Sequence, residues 1–166
     1  MGVDSIAVRP ARAGDAEAIC DIYNQGIEDR TATLETRLRS AEEQGKWLQS
    51  RDERHPVLVA QRDGSVVGWG SLNVFNPRAA YDHVTEFSVY VARSSRGTGV
   101  GGKLLEDLVE VARAIGYHKM VLAAFDWNLS GIALYTRMGF RHVGIYREQG
   151  WLDGRWVDTV VMEKLL

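Results

Sequence analysis

"RSSRGTGVGGKLL", Arg93 to Leu105, sets four glycines, Gly97, Gly99, Gly101 and Gly102, just ahead of an apolar run. Parts of three phosphate-binding patterns overlap in it. Gly97, Gly99 and Gly102 make G-x-G-x-x-G, the dinucleotide fingerprint, and Gly97 to Lys103 make G-x-x-x-x-G-K, most of a P-loop. Arg96, Gly99 and Gly101 make R-x-x-G-x-G. A flexible turn between two elements is the fourth reading, so the neighbouring sequence has to decide.

The P-loop reading fails on chemistry, because Leu104 follows Lys103 where a Ser or Thr hydroxyl should meet Mg²⁺. For the dinucleotide reading, Asp126 follows the next strand at roughly the ribose-binding spacing of about 20 residues. Against it, three strands in hairpin-like succession precede the loop, and too little chain follows for the usual βαβ units. The third pattern needs no second half-domain. Consecutive backbone N–H groups at a helix N-terminus make an anion nest, the helix dipole adds positive potential, and glycines let the backbone approach closely. The loop therefore reads as a pyrophosphate cradle.

Working outward, "SIAVR" (Ser5 to Arg9) alternates as a short strand, and Ile19, Ile22, Tyr23 and Ile27 share one face of a helix over 15–27. Ser40 and Glu43 stand at capping-box spacing and open a second helix. Two strands flank Asp63-Gly64, a strong hairpin signal, and His83 to Val91 forms a third. After the loop, Leu104, Leu105, Leu108, Val109, Ala112 and Ile115 recur at helical spacing up to Gly116. Tyr117 to Phe125, apolar on both faces from Met120, reads as a strand covered by helices. A short helix from Leu129 to Met138 stops at Gly139, and strands at His142–Tyr146 and Trp156–Lys164 flank Asp153-Gly154. The order β-α-α-β-β-β-α-β-α-β-β predicts a single α+β domain over 1–166, with a mixed, mostly antiparallel sheet flanked by helices.

With 166 residues, 45% hydrophobic and 25% charged, the chain is long enough for a sizeable core. A net charge of -2 without a block of like charges argues against nucleic acid or an anionic membrane as main partner. The lone Cys20 excludes an internal disulfide and a multi-cysteine metal site, and its helical setting suits a buried structural thiol. No metal is expected. "MGVDSIAVRP" lacks a basic segment followed by an apolar run, which points to a cytoplasmic protein.

"SVYVARSSRGTGVGGKLLEDL" resembles motif A of the GNAT superfamily of N-acetyltransferases, and "WNLSGIALYTRMGF" (Trp127 to Phe140) resembles motif B. "ICDIYNQGIEDRTATLET", "TEFSVYV" and "GRWVDTVVME" are similar to the phosphinothricin and methionine-sulfoximine acetyltransferase group. The resemblance implies acetyl-CoA as co-substrate, a small amino acid or toxic analogue as acceptor, and a homodimer. A protein N-terminus or a polyamine-like amine is the alternative acceptor, and a non-catalytic acyl-CoA-binding module the alternative function.

Acetyl transfer to an amine requires a base, an oxyanion donor and help for the departing thiolate, since an α-amino group with pKa about 7.7–8.0 is mostly protonated at neutral pH. Glu86, in an otherwise apolar strand, is the candidate base; a solvated outward residue is its bland reading. Tyr135 is the candidate acid, with a core aromatic as the alternative. The resemblance implies that Val89, Tyr90 and Val91 hold the pantetheine arm as an added strand. Arg96, Gly97, Thr98, Gly99, Val100, Gly101 and Gly102 would hold the pyrophosphate. Asn128 is a helix cap, a cofactor ligand, or both. On the acceptor side stand Arg78, able to hold a carboxylate bidentately, with Tyr81, Phe87, Ser88, Glu35 and Glu86. Asn76, where part of the group has arginine, and Phe87, where His is common, depart from the pattern.

Overall fold

The computed structural model describes residues 5–166. Its elements follow the expected order: β1 (Ala7–Pro10), α1 (Ala16–Glu28), α2 (Ala41–Gln49), β2 (Val57–Arg62), β3 (Ser65–Val74), β4 (Val84–Val91), α3 (Val100–Ile115), β5 (Lys119–Phe125), α4 (Leu129–Arg137), β6 (Arg141–Leu152) and β7 (Arg155–Leu165). The strands form one seven-stranded sheet in the order β1-β2-β3-β4-β5-β7-β6. Every neighbouring pair is antiparallel except β4–β5.

Local chemistry sets most boundaries. Ser40 accepts a hydrogen bond from the Glu43 backbone N–H while the Glu43 carboxylate takes the Ser40 N–H, closing the capping box at α2. Asp63 and Gly64 both adopt positive φ, +50° and +79°, as the tight β2–β3 turn demands. The longest departure from expectation is β6, which runs to Leu152 instead of ending at Tyr146. The Asp153-Gly154 turn carries the β7 pairing into this polar stretch, and Asp158 secures it by accepting from Arg147 and from the Glu148 N–H. β5 begins at Lys119 instead of Tyr117, and its Ala123 is exposed although a helix-covered strand was expected.

Two layers of helix cover the sheet. On one face α1 and α2 bury Ile19 and Ile22 against Val57, Val59 and Trp69. On the other, α3 buries Leu104, Leu105 and Leu108 against Leu58, Leu72, Phe87 and Met120. Period-2 alternation divides β4 accordingly, sending Phe87 to the α3 face and Tyr90 to the α1 face. α3 lies unusually close to β3: a Cβ on Gly68 would stand 2.8 Å from Val100 Cγ1 and 3.1 Å from the Tyr90 carbonyl oxygen, and one on Gly70 2.8 Å from Leu108 Cδ1. These glycines let α3 rest directly on the sheet from its first turn at Val100 to Leu108. Gly68→Ala overpacks this contact and is expected to cost about 1–3 kcal/mol. Urea unfolding checks it; a midpoint equal to wild type shows that the helix is not held at this distance.

Candidate active site

β4 pairs with β3 from Thr85 to Val91, and β5 pairs with β7 along its whole length. Between β4 and β5, however, the parallel ladder holds only Val84↔Lys119, Thr85↔Met120 and Glu86↔Val121. Past Glu86 the two strands part, and Ala123 is exposed in the gap. Into the same opening come the N-termini of α3, after β4, and of α4, after β5.

A cleft of about 370 Å³ lies there. It brings together Val89, Tyr90 and Val91 of β4, Arg96, Gly97, Gly99, Gly101 and Gly102 of the loop, and Asn128 and Tyr135 of the second motif. Gly99 is the N-cap of α3 with φ +92°, a left-handed conformation that other residues enter only with strain. A Cβ at Gly97 or Gly99 meets no atom within 4 Å, so their requirement is conformational. The first N–H groups of α3 have no intrahelical partner, and with the helix dipole they give this end the character of an anion site. Asn128 caps α4, accepting from the Gly131 N–H at 3.1 Å, and lines the cleft as well.

A second pocket, of about 240 Å³, adjoins the first through Ala32, Val89, Tyr90 and Tyr135 and contains Glu86, Ser88 and Thr33. Glu86 is half-buried, and burial raises its carboxyl above the usual carboxylate range. Among the described residues no side chain or backbone N–H donates to that carboxylate. This is the state of a group available to take a proton. Tyr135 packs edge-on against Phe87, ring centroids 5.8 Å apart, and burial raises its phenol too, keeping it protonated. It is the one expected catalytic residue lining both pockets.

Other expected residues take different places. Thr98 donates to the Ser95 carbonyl and accepts from Arg62, bracing the loop from behind. Val100 is buried against Gly68, and Phe87 against Phe140 in the core. The Ser88 hydroxyl accepts from Asn73 Nδ2. Glu35 is occupied by the Thr36 and Arg37 backbone N–H groups and by Arg39. Arg78 is exposed at the start of the Ala79–Tyr81 turn, outside both pockets, and Tyr81 stacks edge-on against Phe75. Two features escaped the sequence reading. Ala32, Thr33 and Leu34 of the α1–α2 connection wall the Glu86 pocket. Asp29 accepts from both Arg93 and Arg96, at 2.8 and 2.7 Å, and these hydrogen bonds hold its carboxyl down at about 2. Neither carries a local signal, since the partners come from distant segments. Among the described residues no three His, Cys, Asp or Glu gather as metal ligands, and no helix is long and apolar enough to cross a membrane.

Comparison with known proteins agrees with this geometry. The acetyltransferase (GNAT) family model matches residues 17–140. The L-methionine sulfoximine/L-methionine sulfone acetyltransferase of Pseudomonas aeruginosa is 36% identical, with 96% of this chain and 94% of that one covered. A ribosomal-protein-alanine N-acetyltransferase structure from Brucella melitensis superposes with TM-score 0.93 at 37% identity, covering 96% and 99% of the two chains. A phosphinothricin acetyltransferase from Sinorhizobium meliloti, solved in complex with acetyl-CoA, gives 0.91 at 31%, covering 97% and 88%. A glycine loop at a helix N-terminus, a parted strand pair and two adjoining pockets thus coincide with full-length similarity: the chain belongs to the GNAT family and is an acetyl-CoA-dependent N-acetyltransferase.

Proposed function

We propose that the protein transfers acetyl to the α-amino group of a small amino acid or a toxic analogue, of the methionine sulfoximine or phosphinothricin kind. The observation carrying this reading is the junction at Val89, Tyr90 and Tyr135, where a cofactor-sized cleft meets a small pocket holding an unpaired Glu86. The Gly97–Gly102 loop and the α3 N-terminus hold the pyrophosphate, the free edge of β4 at Val89–Val91 holds the pantetheine arm, and Asn128 supports it from α4. Glu86 takes a proton from the acceptor ammonium, directly or through a water. The nitrogen lone pair attacks the thioester carbonyl, the C–N bond forms, and the C–S bond breaks. Tyr135 donates its O–H to the departing sulfur, the acetylated nitrogen sheds its second proton to the resulting phenolate, and Glu86 releases its proton to solvent, leaving free CoA and the neutral N-acetyl product.

The size of the Glu86 pocket favours a small acceptor over a protein N-terminus. An open β4–β5 gap beside a carboxylate with no other partner favours catalysis over a binding module. Arg78 stands outside both pockets, and its role toward the acceptor carboxylate rests on the family resemblance, with its guanidinium in no ion pair among the described residues. A second copy of the chain is assigned to the β6 edge, where Val143, Ile145, Tyr146 and Trp151 stand more than half exposed on a strand whose only partner is β7. A cytoplasmic location goes with the use of acetyl-CoA.

Glu86→Gln keeps size and removes basicity, so kcat should fall about 10²- to 10⁴-fold with acetyl-CoA affinity unchanged. In wild type, kcat/KM should also decline as the pH drops through the raised Glu86 pKa, because only the carboxylate accepts a proton, and that limb should vanish in the variant. A loss below about fivefold, far short of the usual range, rejects the base. For the cradle, Gly99→Glu imposes a side chain on φ +92° and puts a negative charge at the α3 N-terminus. Calorimetry should show acetyl-CoA binding weakened more than about tenfold, the product of strain and charge; an unchanged Kd rejects the loop as the phosphate site. For Arg78→Ala, KM for the amino acid should rise while that for its methyl ester stays level. Equal losses for acid and ester reject the carboxylate assignment.

A further inference from the structure

A third cavity, of about 260 Å³, lies between α1, α2 and the sheet, on the Glu86 face. Glu86, Ser88 and Tyr90 alternate on that face of β4, and the register sets Asn73, Ser71 and Trp69 of β3 beside them. The cavity starts at Ser88, about 7 Å along the strand from Glu86. Ser88 and Tyr90 also line the Glu86 pocket, so the two spaces adjoin.

Its walls are aromatic and its floor polar. Trp47 stands edge-on to Trp69 at 5.5 Å, and Trp69 stacks on Tyr90 at 4.8 Å. Below them Ser71 donates to Asn73 Oδ1, and Asn73 donates to Ser88. The indole N–H of Trp69, a residue only 3% exposed, has no partner among the described residues. A buried donor without an acceptor costs free energy unless something else supplies one.

The cavity also contains Arg39, fastened to α1 by its backbone. The Asn24 carboxamide accepts from the Arg39 N–H and donates to its carbonyl, both at 2.9 Å, and the buried Cys20 thiol donates to the same carbonyl at 3.3 Å. A peptide held on both its polar groups does not wander as a loop residue would. Glu35 takes one terminal nitrogen of Arg39 at 2.6 Å, and among the described residues the rest of the guanidinium fork has no partner.

We propose that this cavity is the subsite for the acceptor's side chain and that Arg39 is its specificity-determining residue. It would take an oxygen-bearing end group such as a sulfone, sulfoximine, phosphinate or carboxylate, with Trp47 and Trp69 packing the methylenes. Glu35 orients Arg39, and Asn24 fixes where it starts. The proposal rests on the amino-acid reading above and adds where the side chain goes and what selects it.

The test measures kcat and KM of wild type, Arg39→Met and Arg39→Lys with L-methionine sulfone, L-phosphinothricin and L-norleucine, acetyl-CoA being saturating. Arg39 is a third exposed, so neither replacement removes a core side chain. Arg39→Met should raise KM for the sulfone and for phosphinothricin about ten- to hundredfold, the worth of a hydrogen bond to a charged group. KM for norleucine and for acetyl-CoA should move less than about threefold, within the range of a surface change. Arg39→Lys should recover phosphinothricin more than the sulfone, since it keeps the charge and loses the fork. Asn24→Ala should give the same KM-only pattern at smaller size. Equal losses across all three acceptors overturn the subsite and leave the amino-acid reading standing. Failure of wild type to acetylate any of the three, with acetyl-CoA still bound, overturns both.

Discussion

The constraint on which the structure depends is the shortness of the β4–β5 ladder. Three residue pairs hold the strands together, ending at Glu86↔Val121, while the outer partners of both strands run on without interruption. Because β3 and β7 keep their grip, the parting is a stable gap in an otherwise complete sheet. An edge of backbone N–H and C=O groups is thereby left open to a ligand built like a peptide, and the last paired residue on β4 is the carboxylate. A fully zipped pair would have sealed both.

What the gap can do follows from what packs on either side of it. α3 rests on Gly68 and Gly70, so its N-terminus is fixed relative to β4 by direct contact with the sheet and not by the loop alone. The loop can then be rich in glycine without being loose: Thr98 is tied to Ser95 and Arg62, and Arg96 to Asp29. Alternation along β4 separates the tasks. Phe87 and Val89 join the core under α3, while Glu86, Ser88 and Tyr90 face α1 and the connection after it. Tyr135 comes from α4, which follows β5 at the far side of the gap, so the two catalytic candidates approach from opposite banks.

The elements legible in the sequence were those with a local physical cause. Ser40 and Glu43 cap α2, Asp63-Gly64 and Asp153-Gly154 turn with positive φ, and Gly116 and Gly139 end α3 and α4. The cleft residues were legible because loop and second motif each carry their own pattern, and the fold brings them together as expected. What could not be read depends on pairing at long range. Arg147 to Trp151 lacks strand alternation and is extended because β7 pairs with it. Ala123 is exposed because β4 leaves it, which no property of "MVLAAF" encodes. Asp29 with Arg96, and Asn24 with Arg39, join residues whose partners lie on other elements. The α1–α2 connection was opaque for the same reason, and it is the segment that walls both the Glu86 pocket and the neighbouring cavity.

A chain of net charge -2 raises the question of what draws an anion to the proposed cradle. Several side-chain cations near the loop are paired: Arg93 and Arg96 with Asp29, Arg93 also with Glu28, and Lys103 with Asp107, while Arg137 on the cleft wall and Arg62 on Thr98 have no carboxylate partner among the described residues. Asp29 stays ionised until the pH approaches about 2, so at neutral pH this pairing is complete. Attraction for an anion at this loop is thus shared between the free N–H groups at the start of α3, with the dipole behind them, and the unpaired Arg137 and Arg62. The backbone donors are fixed by the fold, carry no counterion to release, and bind by geometry at short range.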